Sequence, residues 1–257
     1  LRGAIESLLI AVQFLTRLPT PATGHLSADR LALRLRQSAI WFPAVGGIVG
    51  VISAVTLVAA DLFWPRIIAV GLMLIVEARV TGGFHEDAVA DFCDAMGGGR
   101  TREDKLRIMK DSRIGSYGAL GLMLALGLRA ALLATLPAAW LAPALIASAV
   151  LGRWTSLVVM VAISAVPDRE GLASRASGGA NWWWPPAALI LATPFWAWAA
   201  SVDPFRLIAA MAASLIAGVG FARWLDRQLG GSTGDCLGFI CFVGQLLTLL
   251  IFSARLP

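Results

Sequence analysis

Asp87, Asp91 and Asp94 recur at i, i+4 and i+7 within residues 81–118, TGGFHEDAVADFCDAMGGGRTREDKLRIMKDSRIGSYG. On an α-helix the three fall within roughly 60° of circumference and share one face. Carboxylates held that close repel one another unless a cation lies between them. The chemistry this suggests is a bound divalent metal, and oxygen-only ligands select Mg²⁺ or Mn²⁺ over zinc. Glu86 is turned about 100° from Asp87 on the same helix, which makes it a weaker ligand. A solvated acidic face is the alternative that needs no chemistry. Counted from Glu77, this region holds eight of the sixteen acidic residues of the chain.

Cations follow the carboxylates: Lys105, Arg107, Lys110 and Arg113. Between them, Thr101 and Asp104 have the form of a capping box with Asp in place of Glu. That form predicts a short amphipathic helix with Leu106 and Met109 against membrane or protein. Carboxylates beside cations are what a metal–diphosphate site needs, because the metal bridges phosphate oxygens and Lys or Arg neutralise the rest. An interfacial helix touching lipid headgroups would use the same basic residues without catalysis. Asp111 or Ser112 is placed to cap the helix that opens after Gly115, and the positive end of that helix also attracts anions.

A second glycine-rich stretch, GGSTGDCLG at residues 230–238, precedes the last apolar run. Gly231, Thr233 and Gly234 open a helix there, and backbone N–H groups in such a turn can cradle phosphate. Asp235 either completes the acidic site or caps this helix. His85 adjoins the acidic triad as an acid, a base, a phosphate contact or only a hydrogen-bonding neighbour.

The elements that must position these residues are apolar. The 257 residues are 58% hydrophobic and only 14% charged, against about 25% charged in soluble domains. Lipid must therefore cover the surface. The expected fold is all-α: a polytopic membrane helix bundle forming a single domain over 1–257, with the catalytic segment at 81–114. Spans are expected at 38–60, 67–80, 115–136, 142–164, 182–200, 205–225 and 237–253, about seven in all. Residues 4–18 are too short to span and predict an interfacial or re-entrant helix. Residues 46, 47 and 50, a GGxxG run, should let helices approach closely. Glu77 and Arg79 inside a span should face protein or water. Arg153 is either a snorkelling side chain or a substrate contact. Trp182, Trp183 and Trp184 read as an interface anchor, with base stacking as the minor alternative.

The net charge of +5 follows from the positive-inside rule and suits an anionic substrate; it does not imply nucleic acid. Lys and Arg gather in loops 19–37, 81–114, 167–181 and 226–235, while 61–66, 137–141 and 201–204 are nearly bare. Alternation puts every polar motif on one face, expected to be cytoplasmic. Three cysteines without CxxC spacing read as free thiols, and two histidines argue against zinc. The start of the chain shows no cleavable signal pattern.

The run GGFHEDAVADFCDAMGGGRTREDKLRIMKDSRIGSYG resembles the cobalamin synthase family, the adenosylcobinamide-GDP ribazoletransferases. The family core reads GG-x-H-x-DG-x-AD-x-x-D, then a Gly-rich break and IMKDSR-[IL]-G, and later GG-x-TGD-x-LG. The early FLTRLP at 14–19 and the Phe42-Pro43-x-x-Gly46 run are also similar, so the likeness covers nearly the whole chain. Ala88 departs from the usual Gly, and Phe92-Cys93 from a common Thr-Ala pair; neither removes a carboxylate.

The resemblance implies a Mg²⁺-dependent enzyme of the bacterial cytoplasmic membrane. Its substrates would be adenosylcobinamide-GDP and α-ribazole or its 5′-phosphate, and its products GMP and adenosylcobalamin or its phosphate. The expected roles are then Asp87, Asp91 and Asp94, with Glu86 as a weaker fourth, on the metal. Lys110 and Arg113 would stabilise departing GMP, and His85 and Asp235 would orient or accept a proton. Lys105, Arg107, Ser112, Gly231, Thr233 and Gly234 would face the substrate phosphates. CDP-alcohol phosphotransferases and prenyl-diphosphate transferases share this chemical style. The former carry an Arg after their DGxxA, which is lacking here, and the latter carry two dense Asp motifs. A cation transporter would need its carboxylates mid-membrane, whereas these end a span. Whether the chain forms a homo-oligomer is left open by the sequence.

Overall fold

The computed structural model describes residues 2–21, 26–166 and 181–255, which fold almost entirely as helices. Of the polar stretch 167–181 expected as a loop, all but Asn181 lies outside the described residues. The one strand-like feature among the described residues is an isolated parallel bridge between Ala165 and Ser232.

The chain opens with α1 (Arg2–Leu15), too short at about 21 Å to cross a bilayer. Its Glu6 is held by Arg30 at 2.7 Å and Arg34 at 3.1 Å, both on the mostly exposed α2 (Ala28–Ser38). A 3₁₀ turn then leads into α3 (Phe42–Asp61). The turn after α3 is closed by Arg66 gripping Asp61 at 2.7 Å, and α4 (Arg66–Thr81) returns. Next come α5 (Phe84–Gly98), α6 (Arg102–Ile108), α7 (Ser116–Thr135) and α8 (Ala138–Ala162). After the undescribed stretch follow α9 (Trp184–Leu191), α10 (Thr193–Val202), α11 (Pro204–Leu229) and α12 (Gly234–Ser253).

Among the described residues, five helices are long and apolar enough to cross a membrane, or up to seven if each of two bent pairs counts as one span. The bent pairs correct two expectations of straight spans. Between α4 and α5 the axis turns by 90°, because Gly82 and Gly83 both adopt left-handed φ, 76° and 72°, which glycine enters at little cost. The expected span at 182–200 is likewise broken by 76° at Ala192. Pro194 in the first turn of α10 has no N–H with which to continue the helix of α9.

The central staff is α8, in which every residue from 141 to 160 is buried. The GGxxG run of α3 packs against it: a Cβ at Gly46 would collide with the Ala149 carbonyl, and one at Gly50 with Ile146 backbone. By contrast α7 exposes Leu120, Met123, Leu124 and Leu128, the apolar outer face that lipid must cover.

The polar motifs and the C-terminal end of α12 lie at opposite ends of the bundle. At one end Arg206, paired with Asp203, caps the C-terminal carbonyls of α12 at Ile251, Phe252 and Ala254. At the other end the C-termini of α4, α8 and α11 meet the N-termini of α7 and α12, with α5 and α6 packed among them. Arg102 bonds the Leu229 carbonyl at 2.8 Å, and Lys105 bonds Gln228 at 2.5 Å, so α6 is fastened to the end of α11. The predicted cap of α6 is present: Thr101 Oγ1 accepts from the Asp104 N–H at 3.1 Å.

Candidate active site

The acidic helix forms as its spacing predicts, and its three aspartates occupy graded surroundings. Asp87 is exposed, Asp91 is half-buried and Asp94 is buried. Asp94 accepts from Gly115 N at 2.7 Å and from Gly118 N at 2.8 Å. Both its oxygens thus cap α7, the role the sequence offered to Asp111 or Ser112. Gly115 and Gly118 allow that approach, since a Cβ on either would strike the carboxylate. The helix face that opens to solvent is consequently the one carrying Glu86, Asp87, Ala90 and Asp91.

That face lines a cleft of about 620 Å³ together with Arg17, Thr81, Gly82, Gly83, Phe84 and Ser112. Glu86 has its Oε2 buried without a hydrogen-bond partner, which is the kind of orphaned acceptor a cation satisfies. Among the described residues no three His, Cys, Asp or Glu side chains already stand as a metal cage. The donors present fit Mg²⁺ in its usual manner, held by one or two carboxylates with water and substrate phosphates completing the shell. They do not fit a closed protein cage, and each Asp94 oxygen already accepts one backbone N–H from the start of α7.

Arg17 escaped the assignment of site residues. Its N–H donates to the Val80 carbonyl at 2.7 Å, and its side chain lies over Gly82, where a Cβ would meet it. The only sequence signal was the FLTRLP run, whose distance along the chain hid its neighbour.

The predicted cations are placed unevenly. Ser112 lines the cleft, as does Ile114, so Arg113 sits at its rim between them. Its guanidinium bonds Asp111 at 2.6 Å, and that bond holds the Asp111 carboxyl down at about 2. Lys110 is exposed nearby. Lys105 and Arg107 do not line the cleft: Lys105 fastens α6 to Gln228, and Arg107 pairs with Asp104 at 3.2 Å.

The closing glycine turn is at the same bundle end, and its Ser232 backbone is paired on both sides with the segment after α8. Gly230 ends α11 with φ 67°. Ser232 N–H donates to the Ser164 carbonyl at 2.9 Å, and Val166 N–H to the Ser232 carbonyl at 3.0 Å. Gly231, with φ 153°, has Val166 and Ser164 backbone where a Cβ would stand. Thr233 caps α12 through Cys236 N–H at 3.3 Å, so that cap is not made by Asp235, which stands in the first turn. Those bonds seat α12 on the end of α8, while Gly234 lines a second cavity.

His85 is turned inward. It is buried and lines a second cavity, a slot walled by Phe14, Phe42, Phe84, Met160, Leu237 and Cys241, with Arg153 and Gly234. Arg153 is 1% exposed, which excludes snorkelling. Of the tryptophans, Trp182 is exposed while Trp184 is buried in the core.

The described geometry can be set beside known proteins. A family profile described as cobalamin-5-phosphate synthase matches residues 7–253. An adenosylcobinamide-GDP ribazoletransferase of Leptothrix cholodnii is 39% identical, over 89% of this chain and 88% of its own. The protein of that name from Ralstonia nicotianae is 37% identical, over 99% and 97%, and that from Shewanella amazonensis 34%, over 96% and 94%. No solved structure matches the chain. With carboxylates gathered at one end of a membrane bundle and near full-length similarity of this kind, the chain belongs to the cobalamin-5-phosphate synthase family.

Proposed function

We propose that the chain joins α-ribazole, or its 5′-phosphate, to adenosylcobinamide-GDP, forming adenosylcobalamin or its phosphate and releasing GMP. The relatives carry that transferase's name over nearly their full length. The observation that supports the chemistry is the cleft that gathers Glu86, Asp87, Asp91, Arg17 and Ser112 at one bundle end. In the reaction the nucleoside 5′-hydroxyl attacks the phosphorus attached to the corrinoid arm. The bond from that phosphorus to the bridging oxygen breaks, and the bridging oxygen leaves with GMP.

Such a displacement needs alignment and charge neutralisation more than covalent help. Asp87 and Asp91, with Glu86 beside them, would hold Mg²⁺, which when bound neutralises the diphosphate. Arg17 and Ser112 bind phosphate oxygens from the cleft wall. Arg113 and Lys110 at the rim meet the departing nucleotide. His85 or Asp235 accepts the proton of the attacking hydroxyl. The site is taken to face the cytoplasm of a bacterial inner membrane, because the Lys- and Arg-bearing loops share its end.

Purified protein in nanodiscs, given adenosylcobinamide-GDP, α-ribazole and Mg²⁺, should release GMP and form a cobalamin in equal amounts. GMP formation without a cobalamin, or neither product, would refute the reading.

A further inference from the structure

Where the chain leaves α1 it crosses the corner between α4 and α5. Phe14 meets Phe84 edge-on with ring centroids 5.7 Å apart, which holds the end of α1 against the start of the acidic helix. Thr16 Oγ1 donates to the Val12 carbonyl at 2.7 Å and accepts from the Leu18 N–H at 3.2 Å. Between those two bonds the Arg17 N–H donates to the Val80 carbonyl at 2.7 Å. The backbone of Arg17 is therefore pinned, and what remains to be set is the direction of its long, rotatable side chain. The same corner starts the acidic helix, because the Asp87 N–H donates to the Gly83 carbonyl at 2.9 Å. Cation and carboxylates thus hang from one frame.

Gly82 and Gly83 have nearly the same left-handed φ, 76° and 72°, so the backbone alone favours glycine equally at both. Their surroundings differ. A Cβ at Gly82 would run into Nε of Arg17 and stand 3.1 Å from its Cζ and 3.2 Å from its Cδ, whereas one at Gly83 would meet nothing within 4 Å. The side chain of Arg17 therefore lies against the bare α-carbon of Gly82. Among the described residues it makes no ion pair, although Glu86, Asp87 and Asp91 line the same cleft. An exposed guanidinium held beside carboxylates without joining them stays available to an anion.

We propose that Gly82 is a positioning residue of the active site. Its missing side chain is the seat that aims the Arg17 guanidinium into the cleft it shares with Asp87 and Asp91. Gly83, its twin in conformation, only shapes the bend. This role rests on the phosphate-binding place given to Arg17 in the transferase reading, and it deepens that reading. The span between the cation and the carboxylates is a property of the glycine corner, and Arg17 alone does not fix it.

The test compares Gly82→Ala with Gly83→Ala, using the full chain in phosphatidylcholine nanodiscs. Both variants force a side chain into a left-handed conformation, so both should lower the melting temperature by similar amounts. Arg17 is flexible and yields to the new methyl, so Gly82→Ala adds little to that loss. The difference should appear in the binding of pyrophosphate with Mg²⁺, followed by calorimetry. Gly82→Ala and Arg17→Gln should each weaken it about tenfold or more, the worth of a charge-assisted hydrogen bond. Gly83→Ala should stay within about threefold of the wild type, and Arg17→Lys should recover part of the loss seen in Arg17→Gln. The double variant Gly82→Ala/Arg17→Gln should bind no more weakly than Arg17→Gln, because the glycine acts through the arginine. If the alanine variants do not fold, Gly82→Asn and Gly83→Asn replace them, since Asn enters the left-handed region more readily. Equal weakening by the two glycine variants, a further loss in the double variant, or no pyrophosphate binding by the wild type would overturn the proposal. A wild type that binds pyrophosphate but releases no GMP would instead sink the transferase reading and leave the positioning role standing.

Discussion

At the residue scale, the aspartates separate into two kinds. Asp87 and Asp91 face the cleft, whereas Asp94 caps α7. Asp87→Ala or Asp91→Ala should cut GMP release at least a hundredfold while leaving the melting temperature within a degree or two. Asp94→Ala should behave differently, because it leaves the buried Gly118 N–H unpaired at about 1–3 kcal/mol and also loses the part-buried bond to Gly115; thermal unfolding in detergent would show the drop. The Asp111 and Arg113 pair bears on pH. A carboxylate lowered to about 2 contributes fully above its ordinary value near 3.8 and loses that contribution only as pH falls through about 2. No limb of a pH–rate profile between 5 and 9 should therefore vanish in Asp111→Asn. This level shows where reading a helix wheel stops. Spacing alone put Asp87, Asp91 and Asp94 on one face and turned Glu86 away. It could not know that the N-terminus of α7 would claim the last of them, nor that Arg17 would arrive from the far side of the cleft.

At the scale of elements, the sequence disclosed most helices, because apolar runs of about twenty residues have few other destinies. It did not disclose the two sharp bends, which depend on backbone conformation at Gly82, Gly83 and Ala192 and not on hydropathy. Nor did it show that GGSTGD pairs with Ser164 and Val166, since a glycine turn looks the same whether it binds phosphate or a neighbouring strand segment. The crossing of α5 and α12 gives a test of packing. A Cβ at Gly238 would run into that of Ala88. Gly238→Ala should lower stability by about 1–3 kcal/mol, as overpacking does. The double variant Ala88→Gly/Gly238→Ala should regain most of that loss in the same thermal melt, because the added methyl then fills the space of the one removed.

At the scale of the molecule, a buried ionic knot ties α3, α4 and α7 together: Glu77 accepts from Ser53 at 2.7 Å and from Arg129 at 2.9 Å. Arg129→Met alone strands a carboxylate in the interior, and the expected loss is about 3–5 kcal/mol. Pairing it with Glu77→Leu should restore most of that, as measured by unfolding in graded detergent. Hydropathy warned that Glu77 must face protein, yet its partner lay 52 residues on and could not be named from sequence. The right-angled turn after α4 has a wider meaning. It lays the acidic helix like a sill across the end of the bundle. On the proposed reading, a large, water-loving corrinoid would meet that sill at the open end of the bundle without having to thread between the helices.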